Sequence, residues 1–381
     1  MTLAVQGATV LTPQGWAEAA TVLIRSGRFE VIGAASAPPG CQTLNATGLH
    51  LLPGLVDLHG DAFERMICPR PGVRFPLETA LLDNDRALLA AGITTFYYSI
   101  TDSFEPELRS RATACDIIQA VLSDLKPYLQ VNSAIHIRHE QSNTEHIDEL
   151  YHWLETDRVQ LLSLNDHVPP DLNDETLQRY TKGLRQRIKR SETEIRALIE
   201  AAYARRPLGR QQTEKLAVLA QAQGIPLASH DDETPAEVAD SLARGVAIAE
   251  FPATIALAQT HRAQGVSVLM GAPNLLRGGS HVGYMGVAEA VPAEAVDCLC
   301  SDYHYASLLN APFKLQELGL MSLDAAWALV SANPAKAAGI DHRVGAIAPG
   351  LDANFLLMDL SQPPMAGLKA VYSQGRPVAQ F

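Results

Sequence analysis

Residues 51–61 read Leu51-Leu52-Pro53-Gly54-Leu55-Val56-Asp57-Leu58-His59-Gly60-Asp61. A run of strand length, almost wholly apolar, ends in an imidazole and a carboxylate. Seven further runs follow, at 93–99, 134–138, 159–164, 225–229, 246–251, 266–270 and 296–300. Short, nearly continuous apolar runs suit strands buried on both faces, as in parallel sheets. Helix-patterned segments at 81–91, 109–125, 213–223 and 237–245 separate most of them. Eight strands joined by helical crossovers predict an α/β fold, a (β/α)8 TIM-like barrel over residues 51–342. A doubly wound open sheet is the alternative. The chain has no Gly-x-Gly-x-x-Gly after a strand and no Walker A sequence, which disfavours nucleotide-binding folds.

Outside that region the pattern changes. Residues 1–50 and 343–381 consist of brief alternating runs broken by Gly and Pro. Chain ends often lie close together, so these pieces are expected to pair into one small β-sandwich. A basic helical insertion is expected at 169–210, with Arg179, Lys182, Arg185, Arg187, Lys189 and Arg190 in a dozen residues. It reads either as a solvated helix face or as a cationic lid over an anionic substrate.

Chemistry in a barrel of this kind sits at the C-terminal ends of the strands. Five of the eight runs end in His, Asp or Glu. The ends are His59-Gly60-Asp61, His136-Ile137-Arg138-His139-Glu140, Asn165-Asp166-His167, Ser229-His230-Asp231-Asp232 and Ser301-Asp302-Tyr303. Any one of these is more often a surface or satisfied pair than a site. Repeated at corresponding points of a repeating unit, they point to a metal centre. His59 and Asp61 are two apart, so extended backbone aims both side chains to one side. Imidazole and carboxylate ligands without cysteine suit one or two divalent ions, zinc first, then Mn, Fe or Co. His59, Asp61, Glu140, His167 and His230 are the expected ligands. Asp302 is the expected general base toward a metal-activated water. Arg70 in a proline-rigid turn and Arg277, Ser280 and His281 in a glycine-rich loop are the expected substrate contacts. They would face a small phosphorylated or anionic substrate.

The 381 residues carry 30 Lys and Arg against 42 Asp and Glu, a net charge of −12. An acidic body repels a polyanion, which disfavours nucleic-acid binding. No run approaches the roughly 20 apolar residues of a membrane span, and the first residues lack a signal-peptide pattern. The five cysteines are odd in number and widely spaced, apart from Cys298 and Cys300, which should share one strand face. They read as reduced thiols in a cytoplasmic protein, which could also form an oligomer.

These residues resemble the amidohydrolase superfamily. Residues 53–59 are similar to its first metal-binding strand, and 331–339 with 345–354 to its exit from barrel into β-sandwich. Within it, His59-x-Asp61, Pro69-Arg70-Pro71, residues 229–232, 250–254, 271–274, 277–281 and 301–303 resemble a narrower group. That group is the α-D-ribose 1-methylphosphonate 5-triphosphate diphosphatases of phosphonate metabolism. The resemblance implies metal-dependent cleavage of the triphosphate with release of diphosphate. The chain departs from the group at Gly60 and Ala62 around Asp61, at His139 where a small residue is expected, and at residues 168–171. An amidohydrolase or deaminase acting on a C–N bond of a small anionic substrate is the alternative activity. A catalytically silent barrel is the third reading, disfavoured by the cost of so many buried charges without a metal.

Overall fold

A computed structural model describes residues 2–279 and 283–381. Its centre is a sheet of eight strands, β1 (Leu55–Gly60), β2 (Ile93–Asp102), β3 (Asn132–Glu140), β4 (Leu161–Asn165), β5 (Leu227–His230), β6 (Ile248–Glu250), β7 (Ser267–Gly271) and β8 (Cys298–Cys300). They pair in chain order, each parallel to the next. β1 and β2 are buried along their whole length, as two-sided burial requires. Alternate residues divide between two environments. Val56, Leu58, Leu161, Ala228, Ile248, Leu269, Cys298 and Cys300 form one apolar cluster, while Leu55, Ile100, Ile135, Ile137 and Leu162 join the larger core. Cys298 and Cys300 therefore do share a face, and burial pushes both thiols up.

The sheet closes on itself through a parallel bridge between Gly60 and Asp302. Asp302 N donates to His59 O at 2.9 Å and Asp61 N to Asp302 O at 2.9 Å. Below that bridge the buried carboxylate of Asp57 accepts from Ser301 N at 3.1 Å. This closure excludes the open-sheet alternative.

Both chain ends build a second, mixed eight-stranded sheet. Phe355–Met358 pairs antiparallel with His50–Pro53, which in turn pairs parallel with Thr2–Thr12. The sheet folds over its own core: Phe29, on one edge strand, packs 6.1 Å from Phe355, which stacks on Tyr372 at 4.4 Å. The apolar run 51–58 is therefore two strands in two sheets, parted at Gly54. No side chain fits at that joint, because an added Cβ would lie 2.2 Å from Thr94 Oγ1.

The insertion forms two helices, Asp174–Leu184 and Glu192–Ala222. The second starts at a Ser191 capping box and runs 31 residues, absorbing the separate helix expected at 213–223. Leu177, Leu184, Ile188, Ile195 and Ile199 give the pair a core of its own. No helix among the described residues is long and apolar enough to cross a membrane.

Gly54→Ala should lower the Tm measurably, because overpacking of this kind costs about 1–3 kcal/mol. Gly54→Ala with Thr94→Ala should recover most of that loss in differential scanning calorimetry. An equal loss in both variants would place the strain elsewhere.

Candidate metal centre

The strand ends converge on Glu250, the last residue of β6 and only 1% exposed. Its Oε1 lies 2.9 Å from His59 Nδ1 on β1 and its Oε2 lies 3.2 Å from His230 Nδ1 on β5. A third imidazole, His136 of β3, sets Nδ1 3.1 Å from Leu58 O and 3.1 Å from Ser99 Oγ. Its Nε2 faces Glu250 Oε1 from 3.9 Å. Phe251 walls this group, with its ring 5.0 Å from His59 and 5.3 Å from His230. The chain turns away from strands 5, 6 and 8 through left-handed residues: Asp231 at φ 57°, Phe251 at φ 56° and Asp302 at φ 52°. Aspartate tolerates that region; for phenylalanine it is strained, and such strain is kept where a site depends on it. Asp232 pins the first of these turns, accepting from Ser229 Oγ at 2.6 Å and meeting His261 Nε2 at 2.8 Å.

A second group shares His230. Glu140, ending β3, bonds His167 Nδ1 and accepts from its backbone N at 3.1 Å. Asp231 Oδ2 lies 3.7 Å from His167 Nε2 and 3.5 Å from His230 Nε2. Asp61 belongs to neither group. Its carboxylate meets Arg138 Nη1 at 3.3 Å, while Arg138 Nη2 reaches His230 Nε2 at 3.3 Å. Asp302 lies over Gly271, where an added Cβ would sit 3.3 Å from Oδ2.

Burial and these partners set the charges. Burial disfavours a charged Glu250, but the His59 and His136 imidazoles outweigh it and hold the carboxyl well below its ordinary value. Glu140 is likewise buried, yet His167 brings it down to about 2. Burial opposes a charged His167, and Glu140 overrides it to raise the ring to about 10, an effect that solvent screens because 44% of the side chain is exposed. His136 is lowered to about 3 by burial and is neutral. Burial raises Asp57 to about 6.

The donors suit a divalent cation. His59, His230 and Glu250 each bring a ligand atom within 4.8 Å of the others, and so do His167, His230 and Asp231. His136 Nε2 is buried without a hydrogen-bond partner and faces an acceptor oxygen. A buried lone pair in that situation costs free energy that a cation relieves.

Above the centre opens a cavity of about 680 Å³ whose lining includes Asp302 and four arginines, Arg109, Arg138, Arg179 and Arg187. Arg109 is bound bidentate by Glu64, at 2.7 and 3.1 Å, and Arg187 by Glu105, at 2.8 and 3.1 Å. Arg179 packs 5.4 Å from the Tyr180 ring centroid and has no carboxylate partner among the described residues. Of the basic insertion only Arg179 and Arg187 line this cavity. Arg70 and Arg277 do not. Arg277 Nη1 donates to Tyr303 Oη at 2.9 Å, and Arg70 lines a neighbouring cavity of about 380 Å³ that shares Arg109 and Arg187. Ser280 and His281 lie outside the described residues.

The sequence reading missed Glu250, Asp231, Arg138 and His136. Glu250 was hidden by Phe251, which extended the sixth apolar run past the strand's end. Alternation along β3 carried the signal for Arg138 and His136, which share one strand face with Glu140; Asp231 is the residue after His230 and had no such signal. His139 takes the opposite face, where Asp102 meets its Nδ1 at 2.7 Å and is held bidentate by Arg111.

The sequence matches the amidohydrolase family over residues 50–379. It is 32% identical over 324 residues to the α-D-ribose 1-methylphosphonate 5-triphosphate diphosphatase of Escherichia coli (strain K12), covering 83% of this chain and 85% of that relative. N-acetylglucosamine-6-phosphate deacetylase from Pasteurella multocida superposes with a TM-score of 0.62 at 13% identity, over 100% of both chains. Dihydropyrimidinase from Brevibacillus agri NCHU1002 gives 0.60 at 15% identity, over 100% of this chain and 95% of that one. At such identities the two structures speak to the fold alone. The family typically uses divalent metals, in keeping with the donor groups at the strand ends. With a match along most of its length and a relative this similar across both chains, the protein belongs to the amidohydrolase family and is a hydrolase by descent.

Proposed function

We propose that the protein is a metal-dependent diphosphatase that cleaves α-D-ribose 1-methylphosphonate 5-triphosphate, releasing diphosphate. One observation carries the reading from hydrolase to phosphoanhydride: the cavity over the donor groups is lined by Arg109, Arg138, Arg179 and Arg187. Guanidinium forks suit phosphoryl oxygens, and cations lining the site favour an anionic substrate over a neutral amide. The named relative supports the substrate assignment. The free cysteines fit a reducing, cytoplasmic setting.

His59, His230, His167, Glu140 and Asp231 would hold one or two divalent ions, zinc first. Asp61 is a further donor, through the oxygen that Arg138 does not occupy. When bound, the metal would polarise a phosphoryl oxygen and lower the pKa of water. The remaining chemistry belongs to the chain. Arg138 sits beside His230 and Asp61, within reach of a phosphoryl group drawn to the centre. Arg179 and Arg187 come from the insertion and line the same cavity, suited to the leaving diphosphate. Asp302 is fixed by its two backbone hydrogen bonds, so its carboxylate stays at the mouth of β8. There it accepts the proton of the attacking water. Water adds across the anhydride, leaving a 5-phosphate on the ribose and freeing diphosphate.

Steady-state assays with the ribosyl triphosphate should release diphosphate. Ammonia release from a panel of anionic amides, with no diphosphate from the triphosphate, would favour the C–N hydrolase reading instead. Asp302→Asn should lower kcat by at least about 10²-fold, the scale of general-base loss. Full activity in that variant would remove the proposed role. Arg179→Gln should raise KM for the triphosphate by about tenfold, the scale of one charge-assisted hydrogen bond, with Arg277→Gln affecting it less. The reverse order would return the anion contact to the loop after β7.

A further inference from the structure

Glu250 touches both His59 and His230, with a different oxygen for each ring. In both contacts the ring atom is Nδ1. A neutral imidazole carries its proton on one nitrogen only. Each carboxylate oxygen faces a ring nitrogen at hydrogen-bond distance and serves as the acceptor, so each Nδ1 is the protonated atom. That leaves Nε2 of each ring as a lone pair. Histidine free in water prefers the other tautomer, with the proton on Nε2, so the arrangement has to be imposed.

The geometry points to Glu250 as the positioning residue of the centre: one buried carboxylate fixes His59 and His230 as Nδ1–H tautomers and turns both Nε2 lone pairs to the metal. The inference rests on the metal-dependent reading above, and assigns Glu250 a role other than ligand. Both its oxygens already accept from imidazoles, so ligating a metal would mean releasing a ring. A carboxylate or carbonyl behind a metal-bound histidine is a common way to set the ring's tautomer and orientation. The surroundings fit that role. His230 Nε2 faces away from Glu250, toward Asp231 at 3.5 Å and Arg138 at 3.3 Å. Glu250 pairs in register with His230 across β5 and β6, and Asp231 N donates to Glu250 O at 2.9 Å, so backbone bonds set the spacing. The strained Phe251 then seals the two rings from the side. His136 shows the same design with a different acceptor, its Nδ1 resting on Leu58 O.

The test is 15N-histidine NMR of the metal-free protein at pH 9, with His59→Gln and His230→Gln used to assign the two rings. Both rings should carry the proton on Nδ1. A neutral ring with its proton on Nε2, in either residue, overturns the inference. Glu250→Gln keeps the shape but offers one acceptor oxygen, so one ring should switch tautomer. Its affinity for Mn²⁺ by calorimetry should fall about 10- to 100-fold, the usual loss when such a partner is removed. Unchanged Mn²⁺ affinity in a folded Glu250→Gln protein also overturns it. If that variant does not fold, the wild-type spectrum decides alone. If the wild type shows both Nδ1–H rings and binds no Mn²⁺ or Zn²⁺, the tautomer assignment stands and the metal-dependent reading falls.

Discussion

Two backbone hydrogen bonds close the barrel, from Asp302 to His59 and from Asp61 to Asp302. Everything in the centre depends on that seam. It brings the first and last barrel strands together, so His59 at the end of β1 and Asp302 just after β8 are bonded through their backbones although 243 positions separate them in numbering (302 − 59). Because Asp302 closes the seam in a left-handed conformation, its side chain is committed to the cavity mouth. Asp57 reinforces the seam from below through Ser301. The apolar strand interiors supply stability, and the polar ends inherit rigid placement from them.

Electrostatics shape the site in a second way. The protein as a whole is acidic, with a net charge of −12, so its long-range field opposes an anion. The cavity answers with four guanidinium groups, three of them already neighboured by acids: Arg109 by Glu64, Arg187 by Glu105 and Arg138 by Asp61. Those pairs hold their cations in place and temper their charge. Arg179, on the insertion, stands apart with an aromatic neighbour in place of a carboxylate. Imidazoles, carboxylates and guanidinium groups therefore line one cavity, with Arg138 set among the imidazoles.

Much of this was legible in the sequence, and the reasons it was legible are physical. Two-sided burial makes parallel strands read as apolar runs, so the barrel and the polar strand ends stood out. Periodicity also told that Cys298 and Cys300 share a face. What stayed hidden depended on contacts between distant segments. The run 51–58 looked like one strand because nothing local records that Gly54 passes from one sheet to another; the obstacle is Thr94, forty residues on. Glu250 looked like part of an apolar run, and only the fold sets it between two histidines. Arg277 was expected as an anion contact from its glycine-rich loop, and its Nη1 donates to Tyr303 Oη.

On the proposed function, the imidazoles of His59 and His230 would hold a divalent ion at the C-terminal mouth of the barrel. Anomalous diffraction from crystals of the metal-loaded protein, collected on both sides of the absorption edge of the added metal, tests it most directly. The expected result is a peak in contact with Nε2 of one or both of these rings, beside the arginine-lined cavity. A peak confined to other residues, or no peak after soaking in saturating metal, would overturn the assignment.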